Sequence, residues 1–245
     1  MTLTLALLLV SGGLLYKFIF MKVAKIPQDL DIEIVDSFDS LRSSEAIQWF
    51  SEVEKQLESM GFQPIMKMVT GKKEGRVTSA SQTYGNQAQN CYADHTLIPI
   101  KRGGNIVWVS GLAFEQLNID KTFSMLSNSP CIDSSSALPG QIQILPPSVK
   151  AEEMFRLFSS SRGSFPKLAA AFTSEPILLL EAAKVSYSKI VERRVSVGEL
   201  KPSKDGSGYV LSTVQVLVRT FSFQPVSTGL RYFRNQRTLR KLRAL

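Results

Sequence analysis

Between residues 63 and 147 the chain offers five extended runs in succession: QPIMKMV, RVTSASQTYG, NCYADHTLIPI, NIVWVSGLAF and QIQILPP. GKKEG, GNQAQ and KRGG separate them. Runs rich in β-branched and aromatic residues, joined by short breaks holding Gly and basic residues, pair as hairpins, and a sheet built from hairpins is antiparallel. Such a sheet has to bury a face, and a cover lies just upstream. In SSEAIQWFSEVEKQLESMGF, Ile47, Phe50, Val53, Leu57 and Met60 recur at helical spacing, with Ser43 or Ser44 as cap and Gly61 as stop. This order predicts an α+β fold, an antiparallel sheet with helix packed on one face.

The flanks extend that plan. DLDIEIVD places Leu30, Ile32 and Ile34 on one face and Asp29, Asp31 and Glu33 on the other, as in a half-buried strand with a wet face. The alternation accounts for the row of carboxylates without a metal. SVKAEEMFRLF reads as a short helix capped by Ser148, and LSNSPCIDSSSALPG as a long surface loop. EPILLLEAAKVSYSKIVERR is a helix with Glu175-Pro176 in its first turn and Arg193-Arg194 at its end. GELKPSKDGSGYVLS, divided at Lys204-Asp205-Gly206, reads as a β-hairpin. The apolar run from Gly208 to Val218 is too short to cross a bilayer, although with TFSFQP it suits lying along one.

Both ends of the chain point to a membrane. From Thr2 to Tyr16 there is no charge, and Met1 to Met21 as a helix reaches roughly 30 Å, one hydrocarbon thickness, if Lys17 snorkels. The positive residues Lys17, Lys22 and Lys25 all follow the apolar run, which favours an uncleaved anchor over a secretory signal and places the bulk of the chain on the cytoplasmic side. The net charge is +8, but residues 1 to 150 hold 13 Lys/Arg against 14 Asp/Glu, while residues 151 to 245 hold 16 against 7. No acidic residue follows Asp205, and RYFRNQRTLRKLRAL closes the chain with Arg231, Arg234, Arg237, Arg240, Lys241 and Arg243. As a helix it gathers Arg234, Arg237 and Lys241 on one side and Tyr232, Leu239 and Leu242 broadly on the other, a basic amphipathic tail. The expected organisation is a transmembrane anchor over 1–25, an α+β domain over 26–165, a helix plus β-hairpin region over 166–225 and the tail over 226–245.

Catalytic signals are sparse. CYADH alone brings thiol, carboxylate and imidazole together; in a strand Cys91 and His95 share one face and Asp94 points to the other, so the three form no linear triad. Cys91 with His95 as base is the one nucleophile candidate, with no nucleophile elbow beside it. Two cysteines, no CxxC and a single histidine argue against a Cys/His zinc site. P-loop, Rossmann and H-E-x-x-H patterns are absent from the sequence, and KRGG suits a hairpin tip better than a phosphate cradle. No cofactor or metal is expected.

One ordered set of pieces resembles an uncharacterised family of bacterial membrane-anchored proteins: the N-terminal span, a helix ending in Gly61-Phe62, the pair Asn128-Ser129, then Gly198, Leu200, Asp205, Gly206, Tyr209 and Thr213 before a basic tail. The segment before the tail carries Phe221, Phe223 and Gln224 near Pro225 where the family has tryptophans. The resemblance implies single-pass anchorage in a bacterial inner membrane, and no activity, cofactor or catalytic residue. The expectation is therefore a membrane-anchored interaction or scaffold protein whose partners are the lipid bilayer and anionic headgroups, touched by Lys17, Lys22, Lys25 and the six basic residues of the tail. The alternatives are an enzyme using Cys91 and His95, or a nucleic-acid-binding module built from the helix, the hairpin and the arginine-rich tail. Against the last, a single helix precedes the hairpin, where a helix-turn-helix needs two.

Overall fold

The computed structural model describes residues 25–27, 30–41, 43–71, 77–102, 105–130, 138, 140–216 and 224–244. The leader expected to cross a membrane, with Lys17 and Lys22, lies outside these residues, as does most of the Ser/Pro-rich loop. Among the described residues no helix is long and apolar enough to span a bilayer. The chain is mixed α and β, and it divides into two compact units, Leu30–Tyr187 with Arg234–Leu245, and Met1–Asp29 with Ser188–Phe233.

The smaller unit includes strand β1 (Lys25–Pro27), and the larger one holds a seven-stranded sheet. The strands of that sheet are β2 (Ile32–Val35), β3 (Gln63–Thr70), β4 (Ser79–Asn86), β5 (Cys91–Arg102), β6 (Asn105–Leu117), β7 (Phe123–Ser127) and β8 (Ile142–Ile144), neighbours in that order. From β2 to β7 every pairing is antiparallel between chain neighbours; β8 alone joins in parallel. Strand β7, FSMLS, is a strand that sequence patterning does not announce, because only five residues separate the flanking polar turns and no alternation marks it.

Of the two serines that could cap helix α1 (Ser44–Ser59), Ser43 does so: its hydroxyl accepts from the Ala46 N–H at 3.2 Å. It ends in a Schellman closure, with Gly61 N–H donating to Glu58 O and Phe62 N–H to Leu57 O, at 2.9 and 3.0 Å. Gly61 sits at φ +84°, which explains the glycine there, and Phe62 and Leu57 meet in the core. The helix buries Ala46, Phe50 and Leu57, whereas Ile47 is 40% exposed. The inward stripe is thus rotated by one residue from the expected one at its start. Helix α2 (Ala151–Ser161) has Lys150, not Ser148, at its N-cap, and no side chain caps it.

Register decides the two faces of the sheet. Cys91, Ala93, His95 and Leu97 of β5 lie with Tyr84, Gln82 and Ala80 of β4 and with Leu112 and Phe114 of β6. Helices α1 and α2 cover this face, where Phe62, Phe114, Phe155, Phe158 and Phe165 form a chain of ring contacts with centroids 5.1 to 6.2 Å apart. The opposite face carries Met66, Met68, Tyr92 and Phe123, against which Leu179 and Ala182 of α3 (Pro176–Ser196) pack. Helices therefore cover both faces, where one was expected.

In the smaller unit the expected hairpin of β9 (Leu200–Pro202) and β10 (Gly208–Leu211) takes on β1 antiparallel to β10, giving a three-stranded sheet in the order β1-β10-β9. Asp205 organises the hairpin turn, accepting from the Ser203 and Ser207 hydroxyls at 2.8 Å each and pairing with Lys25. These bonds, the Lys25 bond first, hold its carboxyl well below the usual carboxylate range. The last helix, α4 (Gln224–Arg243), contributes residues to both units.

Candidate functional site

Strand β5 carries the ionisable residues that the sequence singles out, and its two faces treat them differently. On the α1 side Cys91 and His95 are fully buried. Burial pushes the Cys91 thiol up to about 11, opposite to what a nucleophile needs. Burial likewise pulls the His95 imidazole down to about 4. His95 Nε2 shares a hydrogen bond with Ser110 Oγ at 2.9 Å, and its ring stands edge-on to Phe50 with centroids 5.0 Å apart. Its Nδ1 is buried and has no hydrogen-bond partner among the described residues. Four residues of extended chain separate Cys91 from His95 by ~13 Å, so the thiol and the imidazole share a face without meeting.

On the other face Asp94 accepts from Thr83 Oγ1 at 3.0 Å and from Thr96 Oγ1 at 2.6 Å, and Thr96 reaches Ser81 at 3.1 Å. Asp94 pairs in register with Ala113, which puts Glu115 two positions along β6 on the same face. Diagonal neighbours of this kind have backbones ~7–8 Å apart, within reach for two long side chains. Burial, and then the Asp94 charge, push the Glu115 carboxyl up to about 8. Burial also raises Asp94, against the two threonine bonds that favour its ionised form. Both carboxyls are only partly exposed. Both shifts favour the protonated form, and the two carboxyls are chemically the most distinctive point of the sheet. Strand alternation alone puts Asp94 on the face opposite Cys91, but it does not single out Glu115. The one signal for that residue is a lone carboxylate among the apolar residues of GLAFEQL.

No group of three or more His, Cys, Asp or Glu side chains suited to a metal occurs among the described residues. A shallow cleft of about 340 Å³ beside β2 and β3 is lined by Ile34, Pro64, Met66, Lys67 and Pro176, with Asp36 and Gln82 as further polar groups. It adjoins neither the carboxylate pair nor Cys91.

The C-terminal basic residues fall on a helix. Within the larger unit, Asn235, Leu239 and Leu242 of α4 are buried, four and then three residues apart, and the two leucines join the core beside Leu145, Met154 and Leu157. Asn235 Nδ2 donates to Leu145 O at 3.4 Å, and Arg243 donates through Nε and Nη2 to Glu153 Oε1 at 2.9 and 2.6 Å. Arg231, Tyr232, Phe233, Arg234, Arg237, Arg240, Lys241 and Arg243 stand exposed. The amphipathic pattern is real, but Leu239 and Leu242 face protein.

Of the residues in the family resemblance, Asn128 ties the β6 edge to the approach to α2. Its Oδ1 accepts from Leu112 N at 2.9 Å, and its Nδ2 donates to Val149 O at 3.3 Å. Comparison with family models, curated proteins and solved structures finds no match to this chain.

Proposed function

We propose that this protein is a membrane-anchored interaction module, attached through its apolar leader and held against an anionic lipid surface by the basic face of α4. The observation that carries the reading is the seating of that helix: Asn235, Leu239 and Leu242 fasten it to the folded domain, and Arg237, Arg240 and Lys241 remain on the exposed side. A basic face fixed to a rigid body approaches headgroups without first ordering a flexible tail, and each basic residue near an anionic surface contributes ~1 kcal/mol. The leucines pack inward, and the contact made by Arg237, Arg240 and Lys241 is Coulombic, so it weakens with salt.

Sedimentation with vesicles tests it. A chain lacking residues 1–24 binds phosphatidylglycerol vesicles in a salt-sensitive manner, and the triple change Arg237→Glu, Arg240→Glu, Lys241→Glu lowers that affinity by ~100-fold or more. Equal recovery on neutral and anionic vesicles, or an unaffected triple variant, sinks the reading. Tight, salt-sensitive retention of duplex DNA in place of vesicles substitutes a nucleic-acid role.

A further inference from the structure

One hairpin outruns the sheet around it. Strand β5 pairs with β4 only as far as Leu97 opposite Ala80, and β6 pairs with β7 only from Ala113 opposite Ser127, yet β5 and β6 stay paired with each other out to Arg102 opposite Asn105. Ile98–Arg102 and Asn105–Val109 thus form a two-stranded ribbon ~17 Å long. Trp108, 8% exposed in the cluster with Phe38 and Phe50, holds its base.

The ribbon has an unusual surface. Ile98 faces Val109 and Ile100 faces Val107 across the strands, making one aliphatic face. Ile100 is 42% exposed, Val107 44%, and Ile106, on the reverse opposite Lys101, 65%. From Thr96 to Phe114 there is no acidic residue, and the only charges are Lys101 and Arg102 at the tip. Clustered exposed aliphatics mark a surface that meets something other than water. A second copy would bring the same two cations and no carboxylate to meet them, whereas an anionic headgroup layer over hydrocarbon supplies both complements at once.

We infer that the β5–β6 ribbon lies in the boundary between headgroups and acyl chains of an anionic bilayer, with Ile98, Ile100, Val107 and Val109 toward the hydrocarbon and Lys101 reaching the phosphates. This rests on the membrane reading above and adds to it an aliphatic contact from the sheet.

The test uses the full chain with Cys131→Ser, reconstituted from detergent into vesicles of phosphatidylcholine with phosphatidylglycerol. An environment-sensitive fluorophore is placed on Ile100→Cys and, as a control, on Ile119→Cys, which is 66% exposed in the same unit and away from the ribbon. Flotation reports attachment independently. The expected result is a blue-shifted probe at residue 100, quenched by nitroxides on the acyl chains, and a water-exposed probe at residue 119. With the fluorophore kept on Ile100→Cys, the further change Val107→Asp abolishes the shift while the chain still floats. A floated chain whose residue-100 probe stays accessible to aqueous iodide overturns the ribbon proposal and leaves the anchor standing. Crosslinking between residue-100 cysteines of two copies overturns it as well. A chain that does not float removes the membrane reading and this proposal together.

Discussion

Strand β5 presents the same backbone to two environments, and the two teach different things about burial. Toward α1 and α2 it shows Cys91, Ala93, His95 and Leu97, set among aromatic rings. Toward α3 it shows Tyr92, bonded to the Thr173 backbone, and Asp94, bonded to the Thr83 and Thr96 hydroxyls, with Glu115 of β6 on the same face. The first face holds its members by volume, and desolvation leaves its ionisable groups neutral and inert. On the second, groups are held by directed hydrogen bonds, and desolvation favours the protonated form of two carboxyls at a partly exposed place. The same physical penalty therefore silences one pair of residues and poises the other.

If that contrast is right, the largest loss of stability comes from emptying the aromatic face. Phe114→Ala, which removes a fully buried ring touching Phe62, Phe155 and Phe158, lowers unfolding free energy by about 3–5 kcal/mol in urea titration. A loss below about 1 kcal/mol would mean the face collapses onto smaller residues, and the contrast would fail at its stronger end.

On the opposite face a single oxygen is the sharper probe. The Tyr92 hydroxyl donates to Thr173 O at 3.0 Å and accepts from Thr173 N–H at 2.9 Å, so Tyr92→Phe leaves two backbone groups unpaired and costs about 1–3 kcal/mol at nearly unchanged volume. An isostable variant would show that packing, not hydrogen bonding, fastens Phe172 and Thr173 to the sheet.

Opposite in sign are the titrations of the two faces. His95, depressed from 6.5 to about 4, contributes stability that is present above 6.5 and lost as pH falls toward 4. Glu115, raised from 4.5 to about 8, contributes stability that is complete below 4.5 and lost as pH rises through 8. From these two groups wild-type stability should fall below about pH 4.5 and above about pH 6.5, with a plateau between, and Glu115→Gln should remove the alkaline fall. An alkaline limb that is unchanged in Glu115→Gln assigns that titration to another group.

The smallest effect is kinetic. In a Cys131→Ser background, Cys91 should resist a thiol reagent in native buffer at pH 8 and react fully in denaturant, as its burial and raised pKa require. Native labelling would reopen Cys91 as a chemical group.

Local signals carry far along this chain where the deciding interaction lies within a few residues. Ser43 as cap and Gly61 as stop are legible because each acts on the backbone of its own turn, and the Lys204-Asp205-Gly206 hairpin is legible for the same reason. Alternation in CYADH is enough to put Cys91 and His95 on one face and Asp94 on the other. It does not reveal Glu115, since the diagonal pairing of Asp94 with a residue on β6 depends on the register of a hairpin whose turn is remote from both. The single-residue rotation of the α1 stripe, from Ile47 to Ala46, likewise depends on which neighbour the helix meets.

What the sequence determined by itself is the order of the elements other than β1 and β7, the antiparallel pairing of chain neighbours and the basic character of the last helix, because periodicity, turn chemistry and charge are properties of short segments. Tertiary structure alone decided that β8 joins β7 in parallel, that β1 pairs with a strand whose residues lie far along the chain, Lys25 opposite Val210, and that helices cover both faces. It also decided that Leu239 and Leu242 turn toward protein. An amphipathic helix announces that it has an apolar face, but what covers that face is settled by whichever surface the rest of the fold leaves open.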